Sequence, residues 1–307
     1  IAHVKDYDLL DHHYLFCYVP TVAARIARWQ NVPYTVRTMG QLTPWALAQG
    51  RLKKQVYSTL FERQTLNQAA AVHCTSQGEA EDVERFGVRS PKLVLPLGVE
   101  IPQPIPDAAF KLRQRYSIPQ ETPIVLFLSR LHYKKRPELL IDALAPLIQE
   151  GRAVHLLLAG SGEVEYIRAL EAQTARLGVQ AQVTFTGFIT GYDKDLVLQG
   201  SDIFALPSYS ENFGIAVAEA LAAQLPVLVT PDVQIAPEIE QAKAGMIIEG
   251  ETELYTTAIA QLLENPQWRR HLGENGRKLV QNRYSWSAIA QKLATAYQEI
   301  IEKHHKI

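Results

Sequence analysis

Cysteine is almost missing from this chain, with Cys17 and Cys74 the only two in 307 residues. Two thiols cannot build a disulfide framework, and their spacing fits no zinc site. Both lie in apolar surroundings that suit reduced core thiols. Also missing is any apolar run of roughly 18 to 20 residues that could span a bilayer, or a basic-apolar-small leader at the start, so a cytoplasmic location is expected. Charge of one sign is not in excess: 31 Lys and Arg stand against 32 Asp and Glu, a formal net charge of −1. That balance argues against a nucleic-acid surface. Any anion must then be held locally by a few well-placed residues. No repeat of 20 to 50 residues is visible. The chain opens on Ile1 rather than methionine, and an incomplete N-terminus is expected.

What is present reads as a globular α/β chain, with 47% hydrophobic and 21% charged residues and enough length for two domains. Apolar and helical periodicities alternate. Strands are expected at 7–11, 32–36, 70–74 and 92–97, separated by helices over 19–29, over 46–67 and from Thr75 or Ser76 as N-cap. Pro102, Pro104, Pro106, Pro119 and Pro123 then punctuate a connection around one short helix at 108–116. A second alternation follows, with strands at 124–129, 153–159, 182–186, 202–206, 226–230 and 244–248. The helices between them fall at 138–150, at 164–177, around Leu196, from Phe213 and at 238–241. Three helices close the chain, over 253–264, 267–281 and 286–303. Strand and helix in turn imply parallel sheets covered on both faces, hence two doubly wound domains with a cleft between them. The expected division is 1–105, 106–285 and a terminal helix at 286–307.

In such sheets ligands meet the loops that follow the strands, and four of these loops carry chemistry. Ser129 to Arg136 concentrates positive charge: Arg130 can fork onto phosphate oxygens and Lys135 supplies a point charge. A solvated basic loop would look the same, but the place after a buried strand favours phosphate. Gly160-Ser161-Gly162 permits close backbone approach, either to a ligand or within a tight turn, and the third glycine of a dinucleotide fingerprint is absent, since position 165 is Glu165. Phe188 could flank a planar base or simply close a strand. Finally, Glu211 precedes a helix start at Asn212, Phe213 and Gly214, and Glu219 follows among alanines. The amides of such a start favour anions, and ionised carboxylates accept hydrogen bonds from hydroxyls. An ordinary helix entry with Glu219 on a solvated stripe is the plainer account. Taken together, the loops suggest a diphosphate flanked by hydroxyl-bearing rings, that is, a sugar nucleotide.

These motifs resemble the retaining glycosyltransferases of family four with the GT-B fold. The resemblance rests on Leu128-Ser129-Arg130 with Lys135, Ala159-Gly160-Ser161-Gly162-Glu163, Val183 to Phe188, and Leu206-Pro207-Ser208 leading to Glu211 and Glu219. It is close over residues 91–291 and looser over 7–90, where Thr75 to Glu79 and Leu97-Gly98-Val99 also fit. It implies a transferase moving a sugar, a hexose foremost, from a UDP- or GDP-sugar to a glycan or lipid-linked acceptor in polysaccharide or glycoconjugate synthesis. No cofactor and no metal would be required, and membrane association would be peripheral, at the inner face. Arg130 and Lys135 would hold the diphosphate, Glu211 the donor sugar, Glu219 the ribose, and the loop at Phe188 the base. Backbone amides of Asn212, Phe213 and Gly214 would touch sugar and phosphate, with Gly160, Ser161 and Gly162 beside the donor. Retention would follow front-face attack, since no carboxylate stands out as a covalent nucleophile. Residues 286–303 resemble the helix that returns to the first domain. Two departures stand out. The family's opening strand and glycine-rich loop have no counterpart, so the first domain is expected to lack its first strands. In Thr38-Met39-Gly40 the second residue is not the histidine of many relatives, so either His12 or His13 contacts the sugar or sugar binding is altered; taken alone, each of these histidines reads first as a strand-end or core residue. A sugar-nucleotide epimerase and a non-catalytic sugar-nucleotide binding protein are the alternatives.

Overall fold

The computed structural model describes residues 3–49 and 51–306. They form two compact units, one running to Gly98 and resuming at Trp286, the other spanning Val99–Ser285.

The first unit is built on a parallel sheet of β1 (Leu10–His13), β2 (Tyr34–Arg37), β3 (Ala71–Cys74) and β4 (Lys92–Val94), in that spatial order. Its core packs Tyr34, Val36, Val72 and Cys74 against Ala24 and Ala27 of the helix Tyr18–Trp29. Alanine at those two positions lets the helix lie close to the strands. Cys17, expected in the core, is exposed. It occupies the extended N-cap position of that helix, where its carbonyl accepts hydrogen bonds from the hydroxyls of Thr21 (2.9 Å) and Tyr57 (3.0 Å). The single helix expected over 46–67 is broken. Pro44–Ala48 is capped by Thr43, whose hydroxyl accepts from the Ala46 N–H at 3.2 Å, and Gln49 turns extended and stops it. Helix resumes at Arg51–Tyr57, widens into a π turn at Ser58–Glu62 and finishes at Arg63–Asn67. Buried Glu62 accepts the Phe16 N–H at 2.7 Å, tying this segment to the loop after β1. The helix Trp286–His305 belongs to the same unit. Its Trp286 ring lies so near Gly98 that an added Cβ would sit 2.5 Å from it.

The second unit holds a six-stranded parallel sheet of β5 (Ile124–Leu128), β6 (His155–Ala159), β7 (Val183–Gly187), β8 (Ile203–Leu206), β9 (Val227–Val229) and β10 (Gly245–Ile247). Its order is β10-β9-β8-β5-β6-β7. Strands β5, β6 and β8 are buried along their whole length, which explains their unbroken apolar sequence. Each fully buried Leu, Ile or Phe there contributes about 1.5–3 kcal/mol. Pro137–Gln149 packs between Val164–Leu177 and Thr252–Glu264, while Ile215–Ala222 packs on Pro266–Leu279. The division falls after Gly98, where the sequence suggested 105. The reason is that residues 99–105 bond to the second unit: Val99 N–H to the Tyr284 carbonyl (2.8 Å) and Ile105 N–H to the Gln199 side-chain oxygen (2.8 Å). Buried Arg113 then fastens the helix Ala108–Arg115 through the Gly200 carbonyl (3.1 Å) and Asp202 (2.8 Å).

Candidate donor-binding site

Chain order reverses direction in the second sheet between β5 and β8, because the chain builds outward from β5 to β7 and then crosses back to lay β8 on β5's other side. Loops at the carboxyl ends of two such strands diverge and leave a crevice. Here they are Ser129 to Arg136 after β5 and Pro207 to Gly214 after β8.

The two loops are cross-braced. The Ser208 hydroxyl donates to the Lys134 carbonyl at 3.0 Å, and the Tyr209 N–H donates to it at 2.9 Å. Thr230, after β9, donates its hydroxyl to the Ser208 carbonyl at 2.6 Å. The backbone of Glu211 joins a short parallel ladder, its N–H donating to the Asp232 carbonyl and its carbonyl accepting from Gln234, both at 3.0 Å. The Glu211 side chain is therefore delivered by a backbone held on both sides. It meets the Lys135 ammonium, which donates to Glu211 Oε1, and both side chains are largely buried at 10% and 14% exposure. Arg130 is exposed and forms no ion pair among the described residues. Burial, reinforced by Lys135 and Arg130 against the pull of Glu211, lowers the pKa of Lys134. Arg136 is structural: it sits at φ +56°, donates to the Gly250 carbonyl at 2.7 Å and lies over the Tyr209 ring.

Gly214 supplies the left-handed N-cap of Ile215–Ala222, with no side chain capping the first turn. Phe213 is buried, edge-on to Tyr284 at 5.4 Å. Its ring anchors the turn, so at position 213 only the backbone is left to meet a ligand. Glu219 is half-buried, and its Oε1 accepts from Lys194 Nζ at 2.7 Å. Lys194 lies in the first turn of Tyr192–Gly200, beyond β7. Sequence reasoning missed it. The one available signal was a lysine set between two aspartates, Asp193 and Asp195, directly past a strand-end loop.

The remaining loops differ in how free they are. Gly160 and Gly162 are required by their neighbour: a Cβ at Gly160 would lie 1.8 Å from the Ser129 carbonyl oxygen, and one at Gly162 would lie 2.2 Å from that of Leu131. The Ser161 carbonyl accepts the Leu131 N–H at 2.8 Å. The close approach that these glycines permit is thus to the loop after β5. Phe188, by contrast, is 76% exposed beyond β7.

In the first unit His12 is buried and stacked on Tyr34 at 5.2 Å, with neither ring nitrogen hydrogen-bonded among the described residues. Burial pushes its pKa down to about 4, with Asp11 opposing and His13 adding to the fall. It is a neutral core ring. Of the two histidines suggested for the sugar contact, it is the one packed in the core. His13 is more open and pairs with Asp11 at 3.2 Å. Met39 and Gly40 are both left-handed, at φ +49° and +72°. Buried Glu79 holds that turn, accepting from the Thr38 hydroxyl (2.6 Å) and the Gly40 N–H with one oxygen and from Thr75 with the other. Ser76 is the N-cap of Gln77–Arg85. Among the described residues no group of three or more His, Cys, Asp or Glu is placed to hold a metal ion. None of the helices there is long and apolar enough to cross a membrane.

Two parallel α/β sheets in one chain are an architecture shared with solved glycosyltransferases. The chain is a member of the Glycosyl transferases group 1 family, matched over residues 109–279, and residues 2–98 match the Glycosyl transferase 4-like domain. It is similar to the D-inositol 3-phosphate glycosyltransferase of Xylanimonas cellulosilytica, 28% identical over 97% of this chain and 73% of that protein. It is also similar to the alpha-D-kanosaminyltransferase of Streptomyces kanamyceticus, 32% identical over 62% of this chain and 49% of that protein. Among solved structures, Anabaena HepE in complex with UDP and glucose superposes with a TM-score of 0.83 at 24% identity, covering 97% of this chain and 80% of that one. Sucrose-phosphate synthase from Thermosynechococcus elongatus gives 0.81 at 23%, covering 98% and 76%. The fold is GT-B, and the chain is a glycosyltransferase.

Proposed function

We propose that this enzyme transfers a hexosyl group, with retention and without a required metal, from a nucleotide sugar to a glycan or lipid-linked acceptor at the cytoplasmic side. The observation that carries the reading is the Lys135–Glu211 pair at the reversal point of the second sheet, beside an Arg130 that has no ion pair among the described residues. A guanidinium able to fork onto two phosphate oxygens, with an ammonium in the same loop, offsets the charge that grows on a departing nucleoside diphosphate. Glu211, held by Lys135, accepts hydroxyls of the donor sugar. Glu219 accepts those of the ribose, Phe188 covers the base, and the amides at 212–214 meet sugar and phosphate. The leaving phosphate assists front-face attack by the acceptor. HepE, which shares the fold, was solved with UDP and glucose, so UDP-glucose is the first donor to test.

The test incubates the protein with UDP-glucose and other UDP- and GDP-hexoses, with and without glycan and lipid-linked acceptors, in the presence of EDTA. Nucleotide release and the anomeric configuration of the product are read by NMR. Acceptor-dependent release with retained configuration is expected. Isomerised donor, an inverted product or complete loss in EDTA would each overturn the corresponding part.

A further inference from the structure

Lys194 and Glu219 form an ion pair that stability does not account for. At 32% and 22% side-chain exposure such a pair is worth about 0–1 kcal/mol. Yet the geometry is selective. Lys194 is flanked in sequence by Asp193 and Asp195, and Asp193 is taken by Arg115 at 2.8 Å, so the Lys194 ammonium reaches across to Glu219 on another helix. It occupies Oε1 alone, and Oε2 accepts no hydrogen bond among the described residues. The arrangement repeats that of Lys135 on Glu211, again at Oε1 and again with the second oxygen open. Each carboxylate is thus held by a lysine from beyond a different strand, Lys135 in the loop after β5 and Lys194 in the helix after β7, and presents one acceptor edge.

We propose that Lys194 is a positioning residue that makes the site selective for a hydroxyl-bearing ribose. This rests on the reading of Glu219 as the ribose acceptor and adds the device that aims it. A carboxylate that accepts a charge-assisted bond on one oxygen stays ionised, loses rotational freedom and keeps only acceptor lone pairs on the other oxygen. Such an edge binds hydroxyl donors and gives nothing to a sugar that lacks them. Without the ammonium Glu219 is free to turn into solvent, and the ribose hydroxyls lose their fixed partner. Lys194 contributes here through Glu219, so its removal takes away discrimination and leaves the phosphate grip of Arg130 and Lys135 intact.

The experiment titrates UDP and 2′,3′-dideoxy-UDP calorimetrically into the wild-type protein, Lys194→Met and Lys194→Arg. The wild type should prefer UDP by about tenfold or more, the worth of a hydrogen bond to a charged group. Lys194→Met should bring the two ligands within about twofold of each other by weakening UDP alone, and Lys194→Arg should restore most of the preference. A Lys194→Met protein that keeps the wild-type preference overturns the inference. So does equal weakening of both ligands, which would mark a direct phosphate contact. A wild type that fails to prefer UDP overturns the ribose reading of Glu219 and this inference with it.

Discussion

Replacing Lys135 by Met isolates what the Lys135–Glu211 pair does to the fold from what it does to a ligand. The two side chains are only 10% and 14% exposed, so removing the ammonium strands a carboxylate with little water to solvate it. Breaking a buried pair from one side costs about 3–5 kcal/mol, and the residual exposure of Glu211 points to the lower end, about 3 kcal/mol. For a unit of 150–250 residues each kcal/mol lowers Tm by about 2–4 °C, so Lys135→Met should melt about 6–12 °C below the wild type. Removing both charges, in Lys135→Met/Glu211→Leu, should recover most of that loss because no buried charge is left unpaired. The stabilised double variant should still fail to bind UDP-glucose. Thermal unfolding followed by tryptophan fluorescence, with a binding titration on each variant, reads both effects. A shift under about 2 °C in the single variant, or a double variant as unstable as the two single losses added, would refute the description of a buried, mutually dependent pair.

Other perturbations probe other parts of the molecule. Gly160→Ala puts a Cβ 1.8 Å from the Ser129 oxygen at φ +152°; combined strain and overpacking should destabilise the second unit by about 2–5 kcal/mol, and a melting temperature equal to wild type would contradict the loop packing. His12 has a folded pKa near 4, below its ordinary value of 6.5. The unfolded chain therefore takes up the proton first, and the stability from this group is complete above pH 6.5 and lost as pH falls toward 4. His12→Phe should keep the stack on Tyr34, flatten that part of the acid loss and leave donor affinity unchanged; an unaltered pH profile would show that the ring is not buried neutral. Phe188→Ala should leave Tm within error, since the ring is exposed, while weakening UDP by about 1–3 kcal/mol if it stacks on the base. Equal UDP affinity would remove Phe188 from the site.

What could be read from the amino acids follows from how local each signal is. The run Ile124 to Leu128 is apolar on both faces because helices cover both sides of the sheet, and Val164–Leu177 ends where Gly178 adopts φ +72°; both are written in consecutive residues. The spacing of Glu211 and Glu219 was legible for the same reason. Their lysines were less so, since Lys135 and Glu211 are 76 positions apart and Lys194 and Glu219 are 25 apart. Only the reversal of strand order and the cross-bracing of the loops bring such pairs together. Cys17 and the break after Ala48 were missed because apolar neighbours and helical periodicity continue through positions that the chain uses as a cap and a turn. For His12 the strand-end or core reading and the sugar-contact reading both stood, and the strand's alternation turns the ring inward onto Tyr34.

On the proposed function, the carboxyl-end loops of the second sheet grip a nucleotide sugar through Arg130. Because that side chain is exposed and pairs with no acid among the described residues, Arg130→Gln should leave Tm unchanged and isolate binding. Calorimetric titration of UDP-glucose into the wild type and Arg130→Gln is the direct measurement. Loss of a charge-assisted contact worth about 1.5–3 kcal/mol predicts affinity about ten- to 150-fold weaker in the variant. Equal affinity in the two proteins would contradict the account.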